Sequence, residues 1–225
     1  MNTPVIKVHE EIYNLNIVVN FIFFKNLHNK KSNQSFSQYQ QQVLSKLMPD
    51  INKEMIRTDP VLEGYRNLRT KLGLSRNKYI CSSEALLKFL LKKGALPQVN
   101  LLVDIYNLIS VKTHISIGAH ELDMIDQRLD FKITNGSETF IPMGTDEAVE
   151  ISKGEYAYVD GSNEVLCRFD HRQCHKTRIS ESTQSCLLIV QGNSNMTIEE
   201  INCATEELVQ LINKYCGGNA EVLST

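Results

Sequence analysis

Polar residues at spacings that bring side chains together are where chemistry in this sequence has to be sought. Asn107 and Asp104 stand three residues apart, which on a helix puts an amide and a carboxylate side by side, able to hold an amino group or a ribose hydroxyl. An exposed helix face, or hydrogen bonds to a neighbouring loop, is the alternative for the same pair. Gly118-Ala119 reads as a turn whose backbone amides can come close to a carbonyl or a developing oxyanion, or as a plain connection between elements. His114 and His120 bracket that turn; either can act as a general base near neutral pH or orient water, a structural or surface histidine being the commoner role.

Two further groups share one segment. Cys167, His171, Cys174 and His175 offer zinc its preferred thiol and imidazole donors, but the spacing matches no standard finger, and a strand over 165–169 turns Cys167 to the same side as Phe169, into the core. No metal and no cofactor are expected. Arg168, Arg172, Lys176 and Arg178 form a local basic cluster that can hold a phosphate or carboxylate, or remain solvated. The dinucleotide-binding glycine motif, the P-loop, the serine-hydrolase elbow and the paired-histidine zinc motif are all absent, so nucleotide-cofactor, kinase, serine-hydrolase and zinc-protease readings lack their signatures.

Which elements position these residues follows from periodicity. Val43, Leu44 and Leu47, then Leu62, Tyr65, Leu68 and Leu72, recur at helical spacing with Pro49 and Asp59-Pro60 as breaks and Gly73 as a stop. Ser82 or Ser83 caps a helix through Leu86, Leu87, Leu90 and Leu91 that ends in Lys92, Lys93 and Gly94. The next helix carries Leu101, Leu102, Ile105, Leu108 and Ile109 on one face, with Asn100, Asp104 and Asn107 on the opposite one. From Arg128 the texture turns to short strands, over 129–133, 139–142, 147–151, 156–159, 165–169 and 186–191. Thr197-Ile198-Glu199-Glu200 is a capping box for a last helix ending at Gly217-Gly218. The class is α+β, a mixed or antiparallel sheet core packed with helices, with a helical N-terminal layer. Residues 1–58 read as a partly helical extension, and 59–225 as the main domain.

Lys and Arg number 24 against 26 Asp and Glu, a net charge of -2, so a general DNA binder is not expected and any RNA contact must use a local patch. The apolar stretch over 17–24 is broken by Asn20 and too short for a bilayer, and no secretory pattern surrounds it. No membrane association is expected, and a cytoplasmic chain with six reduced cysteines is.

Three stretches taken together carry a resemblance: Asp104-Ile-Tyr-Asn107, Ile117-Gly-Ala-His-Glu-Leu-Asp123, and Arg168-Phe-Asp-His-Arg-Gln173 continuing to Thr177 and Thr183. They resemble the tRNA-binding and editing module of the bacterial phenylalanyl-tRNA synthetase beta subunit and its free-standing homologues, over roughly 60–218. His120, Glu121 and Asp170 replace the usual Tyr, Asp and Asn of those strings. The resemblance implies a pocket that hydrolyses a mischarged aminoacyl-tRNA ester, with tRNA or aminoacyl-tRNA and an amino acid as partners. A non-catalytic tRNA or amino-acid binding module is the alternative. It puts Asn107 on a pocket asparagine, Tyr106 on a pocket threonine, Gly118 on the pocket histidine, and Ile189 near the glutamate that senses a tyrosine hydroxyl. Without that carboxylate, tyrosine specificity is not implied. Asn107, Gly118 and His120 are the candidate catalytic residues; Asp104, Tyr106, Ala119, Arg168, Arg172 and Thr177 are the candidate substrate-binding ones, with Arg172 expected on a loop at the sheet edge, facing the pocket.

Overall fold

Five helix starts are set by single side chains that accept from otherwise unpaired backbone amides: Asn33, Asn52, Asp59, Asn100 and Thr197. In the computed structural model, which describes residues 3–224, they open α2 (Gln34–Leu47), α3 (Lys53–Thr58), α4 (Pro60–Lys71), α6 (Leu101–Thr113) and α7 (Ile198–Cys216). The capping box at Thr197 and Glu200 is formed as expected. The start of α5 (Ser82–Lys93) differs by a residue: Cys81 takes the cap position without a side-chain cap bond, while the helix ends, as anticipated, on Gly94 in the left-handed conformation.

The strands form two sheets. β1 (Val5–Val8), β4 (Arg128–Ile133), β5 (Tyr156–Asp160), β6 (Val165–Arg168) and β7 (Arg172–Gln173) make a mixed five-stranded sheet in that order, with β1 parallel to β4 and the rest antiparallel. β3 (Ser116–Glu121), β8 (Cys186–Gln191), β2 (Val19–Lys25) and β9 (Asn219–Ser224) make an antiparallel four-stranded sheet in that order. Phe21 of β2 meets Tyr158 of β5 edge-on at 6.2 Å, and Tyr158 stacks on Phe131 of β4 at 4.1 Å, so an aromatic seam joins the sheets. The α+β class holds.

The first part of the chain joins both sheets, and one expectation about strands needs correction. Residues 1–58 hold strands as well as helices: β1 and the short helix α1 (Glu10–Tyr13) sit on the first sheet, and β2 lies inside the second, between β8 and β9. A division at 58/59 therefore cuts through both sheets. The apolar run over 19–24 is buried because both of its faces are covered. The expected strands over 139–142 and 147–151 reduce to isolated bridges at Thr139 and Pro142 and to loop, since Pro142 cannot donate to a ladder and Gly144 adopts a positive φ.

Candidate functional site

Strand pairing decides which residues meet. Ser116, Gly118 and His120 alternate along β3 and so share one face, and Gln191 and Ile189 of β8 lie directly opposite Ser116 and Gly118. This wall faces Tyr158, Cys167 and the 169–173 segment of the other sheet across a cavity of about 260 Å³, closed by Tyr106 and Asn107 of α6 and by Ser82, Ala85 and Leu86 in the first turn of α5. Tyr106, Asn107, Gly118, His120 and Arg172 thus come together in one pocket.

Several polar groups on this lining have no partner within the protein among the described residues. The Asn107 amide and the Tyr106 hydroxyl make no hydrogen bond, and the buried Ser116 hydroxyl is unsatisfied. Buried polar atoms are nearly always paired, so the orphaned Ser116 hydroxyl, beside the free Asn107 amide and Tyr106 hydroxyl, makes this cavity suited to a polar ligand. Arg172, exposed at the rim on β7 rather than on a loop, donates only to the Met143 carbonyl, at 3.2 Å. The remainder of its guanidinium is unpaired among the described residues.

Gly118 is not in a turn. It lies inside β3, paired with Ile189, and its contribution is the missing side chain: a Cβ built there meets nothing within 4 Å. His120 is 1% exposed, and burial lowers its pKa to about 3. Its Nδ1 lies 2.7 Å from the Thr177 hydroxyl and 3.3 Å from Gln173 Nε2. That amide nitrogen also donates to the Ala119 carbonyl, and both ring contacts engage Nδ1, so Nε2 is the ring nitrogen without a partner among the described residues. His120 is therefore neutral near pH 7 and only weakly basic there.

The remaining candidates are occupied elsewhere. Asp104 accepts from the Val99 amide at 2.9 Å, and burial raises its pKa. Arg168 is held by both oxygens of Glu155, at 2.6 and 2.5 Å, and by the Tyr79 hydroxyl. Ala119 points to the other face of β3, and Thr177 stands behind His120 as its hydrogen-bond partner. His114 caps α6 from a left-handed conformation, 2.8 Å from Asp59, and is no part of this lining. Cys167 and His171 face the pocket, whereas Cys174 bonds Thr177 and His175 contacts Arg178; no group of three metal-ligating side chains gathers among the described residues.

Beneath the pocket lies a network that residue spacing did not reveal. Asp170 is paired with Arg69 of α4, accepts from the Tyr156 hydroxyl at 2.8 Å, and neighbours the Gln191 amide. Gln191 in turn accepts from Tyr158 at 2.6 Å. Asp170 is thereby neutralised, so the floor is polar without being a free anion.

Residues 65–217 match the B3/4 domain. The chain belongs to that family. Comparison with curated proteins yields no match. Among solved structures, an N-terminal fragment of the phenylalanyl-tRNA synthetase beta subunit from Pyrococcus horikoshii is similar over 100% of this chain and 55% of that one, with 12% identity and a TM-score of 0.53. That likeness shows a shared fold, and the chain spans little more than half of that fragment. In this B3/4 chain, Gly118 and Ile189, where the resemblance put a histidine and a glutamate, are direct cross-strand partners on one wall. Gln191 and Ser116 completed that wall unforeseen; the only signal for them was alternation along two strands whose pairing the sequence does not display.

Proposed function

We propose that this chain binds the aminoacylated end of a tRNA, with the amino acid in the pocket between the sheets, and hydrolyses a wrongly attached amino-acid ester. The observation that carries this reading is the set of unpartnered polar groups, Asn107, Tyr106 and Ser116, around one small cavity in a B3/4 chain. At about 260 Å³ the cavity is below the range of about 300–1,000 Å³ usual for drug-sized ligands, in keeping with a single amino acid. Leu86, Ile189 and Phe169 offer its side chain apolar walls. The Asn107 amide can accept from an α-ammonium or donate to the ester carbonyl, and His120, with its proton on Nε2, would supply a neutral donor for a developing oxyanion. An aminoacyl ester is already activated, so a positioned water, such donors and the neighbouring ribose hydroxyl suffice without a strong protein base. Arg172 at the rim suits a phosphate of the tRNA end.

Deacylation assays over a panel of misacylated tRNAs test the proposal. Wild type is expected to hydrolyse at least one of them, and Asn107→Ala to lose roughly 10²–10³-fold in rate, as for removal of one oxyanion donor. No hydrolysis of any substrate would sink it. Arg172→Ala is expected to weaken tRNA-end binding by about 1.5–3 kcal/mol and Arg172→Lys by less, with unchanged melting; unaltered affinity in Arg172→Ala would assign this arginine to solvent. A second reading, a binding module without turnover, is favoured by the low basicity of His120 and the neutralised Asp170. Saturable calorimetric binding without hydrolysis would select it.

A further inference from the structure

A second, larger depression lies on the other side of α5. It is an open groove of about 1050 Å³ between α3, α4 and α5 and the segment leading into α5. Its lining holds six cations, Lys53, Arg57, Arg66, Arg76, Lys88 and Lys92, against the single carboxylate of Glu84, on a chain whose net charge is -2. The charges divide into two kinds. Arg66, with its side chain 8% exposed, pairs with Glu84 and donates to the Ile56 and Arg57 carbonyls, so it ties the three helices together. The others sit on the rim: Arg57, Arg76 and Lys88, with side chains half or more exposed, pair at their tips with Glu54, Glu63 and Glu84, while Lys53 and Lys92 have no ion-pair partner among the described residues. Between them Ile56, Ile80 and Leu91 give the groove an apolar floor.

We infer that this groove is a second binding site, for the phosphodiester backbone of RNA. An apolar floor under a cationic rim matches nucleotides: phosphates reach outward to Lys and Arg, while sugar and base faces lie against the aliphatic Ile56, Ile80 and Leu91. The choice of RNA rests on the reading of the inter-sheet pocket as the seat of an aminoacyl-tRNA end. Along α5, Ser82, Ala85 and Leu86 face that pocket while Glu84, Lys88, Leu91 and Lys92 face the groove; at about 100° per residue these are opposite sides of one helix only about 10 Å across. His171 bridges the two, since it lines the pocket and its Nδ1 donates to the carbonyl of Ile80 on the groove floor, at 2.8 Å. One polymer can therefore occupy both sites. The groove supplies affinity for the body of the RNA, and the pocket reads its end.

The experiment measures binding of fluorescently labelled, uncharged tRNA to the full chain between 50 and 300 mM salt, by anisotropy. Lys53→Ala/Arg76→Ala/Lys92→Ala is compared with Lys7→Ala/Lys25→Ala/Lys214→Ala, an equal charge loss away from the groove. The groove variant is expected to bind at least tenfold more weakly at 100 mM salt, with the slope of log K against log salt reduced by about 2, at about 0.7 for each phosphate of single-stranded RNA that the protein no longer neutralises. The control is expected to change less than twofold. Thermal melts keep folding under watch, and Lys53→Gln/Lys92→Gln, which leaves the Arg76–Glu63 ion pair intact, repeats the test should the triple variant unfold. Wild-type affinity in the groove variants, an equal loss in the control, or no tRNA binding by wild type would each overturn the inference, as would displacement of tRNA by micromolar AMP, which would make the site one for free nucleotides. A minimal aminoacyl-nucleoside ester separates this outcome from the fate of the editing proposal. Lacking upstream phosphates, it should be hydrolysed equally by wild type and groove variants, and its failure to react in both would remove editing while leaving the tRNA-binding result standing.

Discussion

Gly118 is the residue at which the pocket can be blocked with least disturbance of the fold. It occupies a regular strand position and a Cβ there meets open space, so Gly118→Val should melt at or slightly above the wild-type temperature, because a β-branched residue suits a strand and glycine costs conformational entropy there. The valine methyls would occupy the cavity, and binding of aminoacyl ester is expected to fall more than tenfold; calorimetry with an unreactive aminoacyl amide checks this, and undiminished affinity would remove Gly118 from the site. His120 yields a pH test. Burial holds its folded pKa near 3, below its ordinary value of 6.5, so below pH 6.5 the unfolded chain takes up a proton that the folded chain refuses. Stability should therefore fall with acidification by up to about 1.4 kcal/mol per pH unit from this group, between about pH 6.5 and pH 3. His171, lowered by burial as well, adds in the same sense. Urea titrations at pH 7.0, 6.0 and 5.0 should show a shallower acid loss in His120→Gln than in wild type, and parallel curves would refute the assignment. That Asn107 and Arg172 line one pocket was legible, because their chemical type and their order with other motifs were informative. Ser116 and Gln191 were not, since nothing about an isolated serine or glutamine indicates which strand lies across from it.

Element by element, caps and periods were the clear signals. Asn100, Asp104 and Asn107 line up on α6 as the pattern implies, but the face is buried, because each polar residue has a defined task or opening: Asn100 caps the helix and meets Asn29 and Ile179, Asp104 ties the Val99 amide, and Asn107 opens into the pocket. Period alone reports two faces; it does not say whether the polar one meets water or other polar groups. Asn100→Ala should consequently cost more than an ordinary cap. Loss of the Val103 amide's partner accounts for about 1 kcal/mol, and the Asn29 amide and Ile179 carbonyl lose a hydrogen bond in a partly or fully buried setting, adding about 1–3 kcal/mol. Equilibrium denaturation reads this directly, and a change below about 0.5 kcal/mol would show that α6 does not depend on this residue.

For the whole molecule, the α+β class was readable from the sequence, and the role of the first thirty residues was not. β2 pairs with β8 in a register that matches Val19 to Gln191 and Phe24 to Cys186, across more than half the chain, and such distant pairing leaves no trace in local pattern. The match to the B3/4 family begins at residue 65, yet Val19, Phe21, Ile22, Phe23 and Phe24 are all at most 5% exposed in the centre of the four-stranded sheet. Removing residues 1–58 deletes these side chains, each contributing about 1.5–3 kcal/mol when buried, and opens β8 and β9 along the edges that β2 covered. Their sum rivals the whole stability of a typical domain, about 5–15 kcal/mol. A chain beginning at residue 59 is therefore expected to lack a cooperative melt and to expose apolar surface to a hydrophobic dye, while a chain beginning at residue 15, which gives up β1 and α1 but keeps β2, should still melt cooperatively at a lower temperature. A cooperative transition in the chain from residue 59 would mean that β8 finds another cover, and that the four-stranded sheet does not need its central strand.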